Sequence, residues 1–412
     1  MGRAGPAVLL ADDLTGACDV GIGALRAGTK VRCVFFRSAG MPVPAGGVTV
    51  LDLETRRLSR AAAVQRAIRA GRWLKRAGVR PGYFKIDSTL RGHPVAEAEA
   101  IRVATGRRLI WFVPANPSMG RTTVGGHQFV HGEALESTAY VRDPLHPVKT
   151  GDLLELAAKE LGGRACAHLP LAELGRGAAH VRSLRRGWLG GGVRLVVADI
   201  VRESDLARLA ACIPADDLAV GAAALAAHLF GRPGSPAVRA SARTAQASPL
   251  VSRGLAVIGS LNPLTATQVA RAGGLRGVRV RRLASDDLRR GIAVPAAPEC
   301  RWLILALDPA RFRRLLAARS WQGERIARGL ARLAAKASAL RAPDVLLLSG
   351  GLTAAAVCEA MGIPELRLRR EVEAGLVASE ADGPAGRLTV LTKPGGFGSK
   401  DALAVIMRGG RT

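Results

Sequence analysis

Aromatic and acidic residues are scarce in this sequence, and both shortages limit what the protein can bind. Only 4% of the 412 residues are Phe, Trp or Tyr, so stacking platforms for single-stranded nucleic acid are few. The 33 Asp and Glu residues are outnumbered by 60 Lys and Arg, which gives a formal net charge of +27. The arginines, from Arg56 to Arg72 for example, are spread over predicted helices and form no dense tail. We therefore favour affinity for small anionic ligands over a dedicated nucleic-acid surface.

Long apolar runs and paired cysteines are also missing. The six cysteines are scattered without a Cys-x-x-Cys pair, which argues against a disulfide framework or a zinc site and suits a reducing cytosol. Apolar stretches such as residues 7–11 and 303–307 are far too short to cross a bilayer. Because Asp12 and Asp13 follow the first short run, we expect no secretory signal and a cytoplasmic location.

Short apolar runs alternate with amphipathic stretches, which predicts an α/β protein with mainly parallel sheets. Strands are expected near residues 7–11, 31–36, 48–53, 83–86, 109–113, 194–199, 301–307, 345–348 and 388–392, and residues 255–262 read as a strand that runs into a turn of small residues. Helices are expected near residues 17–26, 60–77, 152–161, 265–272, 324–340 and 354–361. Large apolar side chains are few between residues 231 and 253, so we divide the chain into an N-terminal domain (1–232), a linker (233–253) and a C-terminal domain (254–412).

Two adjacent acids, Asp12 and Asp13, end the first predicted strand. The carboxyl ends of parallel strands face the ligand crevice, and successive side chains alternate, so at least one of these acids should point into it. Thr15 and Gly16 follow where a helix begins and its free N–H groups can meet an anion. The alternative is that one acid simply caps this helix.

Residues 85–93, with the sequence KIDSTLRGH, concentrate polar groups at another strand end. Arg91 offers a planar fork of donors that matches a carboxylate or phosphate. Asp87, Ser88 and Thr89 offer acceptors and short donors suited to sugar hydroxyls. The alternative is a polar strand end whose side chains cap the next helix.

Residues 114–147 read as a long polar loop, because Pro and Gly punctuate them at positions that forbid regular structure. Such loops are usually functional or disordered, and with Asn116 and Arg121 in it we favour a substrate loop. His127 and His131 are flanked by glycines and lack an evident third ligand, so a zinc site is not expected. Asp199 ends another strand, so it could approach the same crevice as Asp12 or cap the helix that begins near Asp205, and we favour the helix cap.

Three turns in the C-terminal half follow predicted strands and are rich in small residues. They contain Ser260, the run Gly350 to Thr353, and the pair Gly395 and Gly396. In such turns bare backbone amides can approach a phosphate, although each glycine pair could also be only a tight turn. Neither the Walker A spacing nor a dinucleotide fingerprint is present. Together the turns suggest a nucleotide cleft.

These stretches together resemble the four-carbon acid sugar kinase family, whose members phosphorylate acids such as threonate, erythronate and 3-oxo-tetronate. The resemblance spans nearly the whole chain and rests on residues 11–17, 85–92, 114–147, 259–260, 349–351, 371–375 and 393–398. It implies two α/β domains, each with a mainly parallel sheet flanked by helices. The N-terminal domain would bind the sugar acid and the C-terminal domain ATP, with the active site in the inter-domain cleft. The family usually has Glu at 352, Ser at 394 and Asn at 396, where this chain has Leu352, Pro394 and Gly396.

Residues and resemblance together define the candidate site. The catalytic candidates are Asp12, Asp13 and Arg91. Substrate-binding candidates are Thr15, Lys85, Asp87, Ser88, Thr89, Gly92, Asn116 and Arg121. ATP-binding candidates are Ser260, Gly350, Gly351, Leu352, Thr353, Gly395 and Gly396. No protein metal ligands are expected, since Mg²⁺ would be bound largely by the phosphates and water.

The expected reaction is ATP- and Mg²⁺-dependent phosphorylation of the terminal hydroxyl of a D-threonate, D-erythronate or 3-oxo-tetronate type acid to its 4-phosphate. Arg91 and Lys85 would grip the substrate carboxylate, and Asp12 or Asp13 would orient or deprotonate the hydroxyl. The loss of a polar group at Leu352 motivates one alternative, an impaired protein that senses the acid or the nucleotide. We expect no nucleic-acid or membrane partner, and the oligomeric state, a homodimer included, is left open.

Overall fold

The computed structural model describes residues 7–36, 46–143, 147–230, 253–292, 299–312 and 323–409. The chain forms two compact units. The first comprises Met1–Lys30 and Phe35–Gly234, and the second comprises Val31–Val34 and Ser235–Thr412. The predicted linker lies outside the described residues, apart from Arg253.

The main sheet of the first unit contains seven strands that all run parallel. These strands are β1 (Ala7–Ala11), β3 (Val48–Asp52), β4 (Tyr83–Lys85), β5 (Ile110–Val113), β9 (Cys166–Leu169), β10 (Leu195–Ala198) and β11 (Leu218–Gly221). Their order across the sheet is β3-β1-β4-β11-β5-β10-β9. Most are short continuous apolar runs, as expected for parallel strands covered on both faces.

Eight helices connect these strands in the described part of the first unit. They are α1 (Leu14–Arg26), α2 (Arg60–Arg76), α3 (Pro94–Thr105), α4 (Leu153–Leu161), α5 (Leu171–Gly175), α6 (Ala178–Gly190), α7 (Glu203–Ala210) and α8 (Ala223–Phe230). Most carry an apolar stripe, and in α2 this stripe buries Trp73 and Leu74. Ser59 caps α2 with its hydroxyl, and Asp152 caps α4 with its carboxylate.

The prediction that regular structure is excluded from residues 114–147 was wrong for the described residues 121–134. A small antiparallel sheet lies there, made of β6 (Arg121–Val124), β7 (His127–Val130) and β8 (Glu133–Ala134). Gly125 and Gly126, both with positive φ, form the turn of the first hairpin. The glycines that suggested a loop are therefore turn residues between strands.

The second unit has a mixed sheet with a parallel half. Its strands are β2 (Val31–Phe35), β12 (Gly254–Ile258), β13 (Val278–Leu283), β14 (Trp302–Leu307), β15 (Val345–Ser349), β16 (Glu365–Glu373), β17 (Leu376–Gly383) and β18 (Gly386–Lys393). Strands β13, β14, β12, β15 and β18 pair in parallel, in that order. Strands β17, β16 and β2 continue the sheet with antiparallel pairing.

The described helices of the second unit are α9 (Pro263–Gly273), α10 (Ser285–Arg290), α11 (Gly323–Arg341), α12 (Gly351–Ala360) and α13 (Ala402–Arg408). One core cluster includes Ile258, Val269, Trp302 and Leu347, so it joins α9 to strands β12, β14 and β15. Within the parts of the chain that the structure describes, every helix is too short or too polar to span a bilayer. The predicted α/β class, with mainly parallel sheets flanked by helices, is confirmed.

Candidate active site

The first unit gathers its polar strand ends around β1. Strand β1 lies between β3 and β4, so the chain order reverses on its two sides. A crevice forms at the carboxyl edge of a parallel sheet where the order reverses in this way. At this edge Asp12 and Asp13 follow β1, Arg56 follows β3, and Lys85 is the last residue of β4.

Arg56 binds both adjacent acids. Its Nε lies 2.8 Å from Oδ2 of Asp12 and its Nη2 lies 2.7 Å from Oδ1. Its Nη1 lies 2.7 Å from Oδ2 of Asp13. Asp13 also accepts hydrogen bonds from the Gly16 N–H and the Thr15 hydroxyl, each at 2.8 Å. Asp13 therefore caps α1, as the alternative interpretation proposed, and it is at the same time part of a charged cluster.

The two carboxylates have opposite pKa shifts. Burial raises the pKa of Asp12, whose side chain is only 3% exposed, against the opposing charge of Arg56. Burial acts in the same direction on Asp13, but Arg56, Lys85 and the bonds from Thr15 and Gly16 outweigh it and lower the pKa of this acid. Asp13 is therefore ionised at neutral pH, and at 14% side-chain exposure it is the more accessible of the two acids.

Lys85 lies beside this cluster at the end of β4. The residue is buried, and its Nζ donates to the carbonyl oxygen of Ile86 at 2.9 Å. A Cβ on Gly16 would lie 3.4 Å from this ammonium, so α1 begins directly against it. The first turn of α1 and the lysine thus bring N–H groups and a positive charge together, a combination that favours an anion.

The segment after β4 folds into a tight turn held by Asp87. Nε and Nη2 of Arg91 bind Oδ2 and Oδ1 of Asp87 at 2.8 and 2.9 Å, and the Thr89 hydroxyl donates to Oδ2. Burial would raise the pKa of Asp87, but Arg91 and Arg56 hold it well below its usual range. With a φ of 62°, Leu90 adopts the left-handed conformation, which is uncommon for a residue with a side chain and is held here by the turn.

Gly92 also has a positive φ, 89°, and the space where a side chain would begin is next to the backbone of Arg56. A Cβ there would lie 3.4 Å from the Arg56 Cα, so the turn 87–92 lies against the segment that carries Arg56. The charge of Arg56 accordingly acts on Asp87 as well as on the acids after β1. The acids that follow β1 and the turn 87–92 that follows β4 therefore form one cluster with Arg56 at its centre.

Tyr140 connects Arg91 to Arg121. The guanidinium carbon of Arg91 lies 6.0 Å from the centre of the tyrosine ring, within cation–π range. Nη2 of Arg121 lies 3.5 Å from the tyrosine hydroxyl. Arg121 exchanges backbone hydrogen bonds with Asn116 at 2.8 and 3.0 Å, which brings both candidates of the predicted substrate loop to this side of the cluster.

Ser88 is held through its backbone. The buried side chain of Gln128, on β7, donates to the Ser88 carbonyl oxygen at 3.0 Å, and the Thr123 hydroxyl donates to the Gln128 amide oxygen at 2.7 Å. Asp199 anchors the same hairpin, because it accepts hydrogen bonds from the N–H groups of Gly125 and Gly126 at 2.9 and 2.8 Å. The prediction that Asp199 caps the helix near residue 205 was wrong. Its carboxylate accepts the two hydrogen bonds of this turn, and its Oδ1 also lies 2.9 Å from Nε2 of His168.

Several residues around the cluster were missed by the sequence analysis. Arg56 was counted among helix-surface arginines, yet it precedes α2 and is 13% exposed. Its position four residues after β3 was the available signal, since every other motif here follows a parallel strand. Tyr140, Gln128 and Glu97 had no comparable local signal.

Glu97 is a buried acid in the first turn of α3. It is 1% exposed, and its Oε2 has no hydrogen-bond partner within the described residues. Burial raises its pKa to about 8, from an ordinary value of 4.5, and the charge of Asp12 acts in the same direction. Glu97 is therefore protonated at neutral pH beside the charged cluster.

Glu97→Gln is expected to change how stability depends on pH. Between pH 4.5 and 8 the folded wild type binds more protons than the unfolded chain, so its free energy of unfolding falls as pH rises. The slope from this group is about 1.4 kcal/mol per pH unit, and glutamine removes it. When urea unfolding is measured from pH 5 to pH 9, the free energy of unfolding of the variant should rise by several kcal/mol relative to that of wild type as the pH increases. The difference should stop growing above pH 8. Glu99→Gln, on the same helix but paired with Arg102, is the control. Parallel curves for wild type and Glu97→Gln would contradict this assignment.

The second unit has its own strand-end cluster, built at β12. Strand β12 lies between β14 and β15, so the order of the strands reverses there as it does at β1. Strand β18 lies beyond β15, and the parallel strands β12, β15 and β18 end at the same edge of the sheet. Ser260 follows β12, Gly350 follows β15 and Gly395 follows β18. A Cβ on Gly395 would collide with the Ser260 side chain, and one on Gly350 would lie 3.7 Å from the Ser260 N–H nitrogen. The three turns are therefore in contact.

The remaining nucleotide candidates extend this cluster. Gly351 and Leu352 open α12, and Thr353 lies against Gly259, where any side chain would collide with it. Gly396 lies beside Asn262, which caps α9. Leu352 is half-buried and brings no polar group to the first turn of α12. At this strand end the structure places glycine backbone and the N–H groups of a helix N-terminus, which are groups that suit an anion.

The turn after β18 is held by α9. The Thr265 hydroxyl donates to the Gly395 carbonyl oxygen at 2.5 Å. The buried Gln268 amide donates to the carbonyl oxygens of Phe397 and Ser399 at 3.1 and 2.7 Å. Among the described residues, no group of three or more His, Cys, Asp and Glu is arranged to hold a metal ion.

Comparison with known proteins identifies one domain family in each half of the chain. A family model described as a sugar-binding N-terminal domain matches residues 7–229, and one described as a nucleotide-binding C-terminal domain matches residues 255–403. A D-threonate kinase of Cupriavidus necator is 33% identical, with 96% of each chain covered. A 3-oxo-tetronate kinase of Burkholderia multivorans is 28% identical, with 95% of this chain and 94% of that kinase covered.

Solved structures agree on the fold. A crystal structure from Salmonella typhimurium LT2 has a TM-score of 0.75 at 22% identity, covering 98% of this chain and 99% of the other. One from Haemophilus influenzae has a TM-score of 0.69 at 20% identity, with the same coverage. The two domain matches and the full-length relatives confirm the resemblance found in the sequence. The chain belongs to the four-carbon acid sugar kinase family of ATP-dependent phosphotransferases.

Proposed function

We propose that this kinase transfers the γ-phosphate of ATP to the terminal hydroxyl of a four-carbon sugar acid, giving the 4-phosphate. The observation that carries the proposal is the cluster around Arg56, in which two carboxylates after β1 lie near a lysine at the end of β4 and a second arginine in the turn after β4. A sugar acid needs both a cationic grip for its carboxylate and acceptors for its hydroxyls. D-Threonate, D-erythronate and 3-oxo-tetronate are the candidate acids, because relatives of this chain are named for each of them.

Arg91 and Lys85 are proposed to hold the substrate carboxylate. Arg91 uses Nε and Nη2 on Asp87, which leaves Nη1, 3.7 Å from Asp143, as the nitrogen for a ligand. Its side chain is 32% exposed, so a small acid can reach it. Asp87 and Thr89 keep the guanidinium oriented before the substrate arrives, which lowers the entropy lost on binding.

Asp13 is proposed to receive the hydrogen bond of the acceptor hydroxyl. It is ionised and more accessible than Asp12, and Arg56, Thr15 and Gly16 fix its orientation. Asp12 holds Arg56 through two hydrogen bonds and so acts as a positioning residue. Phosphoryl transfer depends mainly on in-line positioning and on stabilising the charge of the moving group, so a weakly basic carboxylate is sufficient to orient the hydroxyl.

ATP is proposed to bind at the turns that carry Ser260, Gly350 and Gly395. The N–H groups at the start of α12 suit a phosphate, and these glycines let it approach the backbone closely. We propose that Mg²⁺ arrives as the complex of ATP, bound largely by phosphate oxygens and water, because Mg²⁺ keeps several waters and needs few protein ligands.

Arg91→Ala is expected to raise KM for the sugar acid by roughly 30-fold, equivalent to about 2 kcal/mol, with a smaller effect on KM for ATP. The reason is the loss of the ion pair to the substrate carboxylate. Steady-state kinetics with each substrate varied in turn measures both values. Arg102→Ala is the matched control, because Arg102 makes the same two-point contact with Glu99 on α3. Unchanged kcat/KM for the acid in Arg91→Ala would remove this residue from the proposal.

ADP release with a panel of D-threonate, D-erythronate and 3-oxo-tetronate tests the proposed function. Turnover with one of these acids, and none with the corresponding uncharged four-carbon polyol, is the expected result. The second candidate function is a protein that binds its ligands without turnover. It is motivated by the half-buried Leu352, which brings no polar group to the first turn of α12. Calorimetric binding of acid and ATP without ADP release would favour that second candidate.

A further inference from the structure

Lys393 ends β18 at the edge where the nucleotide candidates meet. In the parallel ladder it lies directly opposite Ser349 of β15, so the two side chains point to the same face of the sheet. The Gly350 N–H donates to the Lys393 carbonyl oxygen at 2.9 Å, which joins the lysine to the turn that opens α12. Neither Lys393 nor Ser349 was among the ATP-binding candidates of the sequence analysis.

Within the part of the chain that the structure describes, the charge of Lys393 has no ion-pair partner. The residue is fully buried, and its Nζ donates to the carbonyl oxygens of Pro394 and Gly395 at 3.0 and 3.2 Å. No carboxylate of the described residues forms an ion pair with it, in contrast to the buried arginines Arg56 and Arg185. A buried ammonium without a counterion is costly, and burial lowers the pKa of Lys393 to about 8 although Glu373 acts in the opposite direction.

A second polar group on the same face is also unsatisfied. The Ser349 hydroxyl is fully buried and has no hydrogen-bond partner within the described residues. Buried polar groups are normally paired, so each exception needs an explanation. A buried cation and an unpaired hydroxyl beside a glycine turn and a helix N-terminus all suit one kind of ligand, an oxyanion.

We propose that Lys393 and Ser349 bind a phosphate group of the nucleotide, with the ammonium exchanging its carbonyl partners for a phosphate oxygen. The inference rests on the proposed function, since it takes ADP or ATP as the ligand of this unit. In this proposal Lys393 supplies the positive charge for the phosphate, which the glycine residues of the turns cannot supply. The proposal assigns both side chains to a phosphate, so they should contribute to binding of ADP and not to binding of adenosine.

Lys393→Met tests the inference by calorimetry with ADP and with adenosine, together with thermal unfolding of the free protein. Loss of a charged hydrogen bond predicts ADP binding weaker by about tenfold or more, and adenosine binding changed less than about twofold. Because methionine removes a buried charge without a counterion, the free protein should unfold at the same temperature or higher. Lys400→Met, an exposed lysine after the same strand, is the control and should bind ADP as wild type does.

Three results would contradict the inference, and they differ from failure of the proposed function. Unchanged ADP affinity in Lys393→Met would overturn it, as would an equal loss of adenosine affinity with a lower unfolding temperature, which indicates a structural role. If Lys393→Met does not fold, Ser349→Ala decides. An ADP affinity reduced about threefold or more, with adenosine unaffected, supports the inference, and unchanged ADP affinity overturns it. Wild-type protein that binds neither ADP nor ATP would instead contradict the proposed function itself.

Discussion

Asp13→Asn should lower kcat by roughly 10²–10⁴-fold while the protein remains folded. The substitution removes the charge that would orient the acceptor hydroxyl but keeps the shape of the side chain. Asparagine caps helices about as well as aspartate, so α1 keeps its cap on the Gly16 N–H. Arg56 retains both hydrogen bonds to Asp12. We therefore expect a loss of about 1 kcal/mol in the free energy of unfolding, far less than the kinetic effect.

Asp152→Asn is the matched control for this variant. Asp152 caps α4 through hydrogen bonds from the N–H groups of Leu154 and Glu155, each at 2.9 Å, and is not among the candidate residues. The same chemical change at the same helical position should leave kcat unaltered there. Measurement of kcat, KM and urea unfolding for both variants separates the loss of a cap from the loss of a catalytic charge. A kcat within about threefold of wild type in Asp13→Asn would exclude Asp13 as the group that orients the hydroxyl.

Arg56→Met should abolish detectable turnover and lower the free energy of unfolding by about 3–5 kcal/mol at pH 7. Within the described residues, Arg56 is the only cation that forms ion pairs with Asp12 and Asp13, so its removal leaves two neighbouring buried acids without that counterion. The difference from wild type should shrink as pH falls. Wild-type Asp13 has a lowered pKa, so its stabilising contribution is present at neutral pH and is lost on protonation.

Arg185→Met separates the structural from the functional part of this effect. Arg185 also binds two adjacent acids, Asp216 and Asp217, and its side chain is 10% exposed. These acids precede β11 and so lie at the amino ends of the parallel strands, at the opposite edge of the sheet from the candidate site. We expect a similar loss of stability in this variant with kcat close to wild type. An Arg56→Met variant that is destabilised but fully active would show that Arg56 is only structural.

The parts of the site that follow a strand could be predicted from the sequence. Asp12, Asp13 and the turn with Asp87 and Arg91 were found because a short apolar run marks each parallel strand, and its carboxyl end is where ligands bind. Arg56 satisfies the same rule, but its contact with Asp12 joins residues 44 positions apart. That contact depends on the pairing of β1 with β3, which no local pattern contains.

The region around Tyr140 and Gln128 could not be predicted for a different reason. Three very short strands form there, and short strands give little periodicity. Their hairpin is held by Asp199, some 70 residues further along the chain, through the turn at Gly125 and Gly126. Local composition therefore indicated a loop, while contacts distant in sequence produce a sheet.

The position of the transferred phosphate tests the central claim most directly. Wild-type enzyme with ATP and each four-carbon acid is followed by proton–phosphorus correlation NMR. We predict that one acid is converted with release of ADP and that the phosphorus of the product couples to the protons of the terminal carbon, C4. Phosphate on an inner hydroxyl, or no transfer to any of the acids by a protein that binds both ligands, would contradict it.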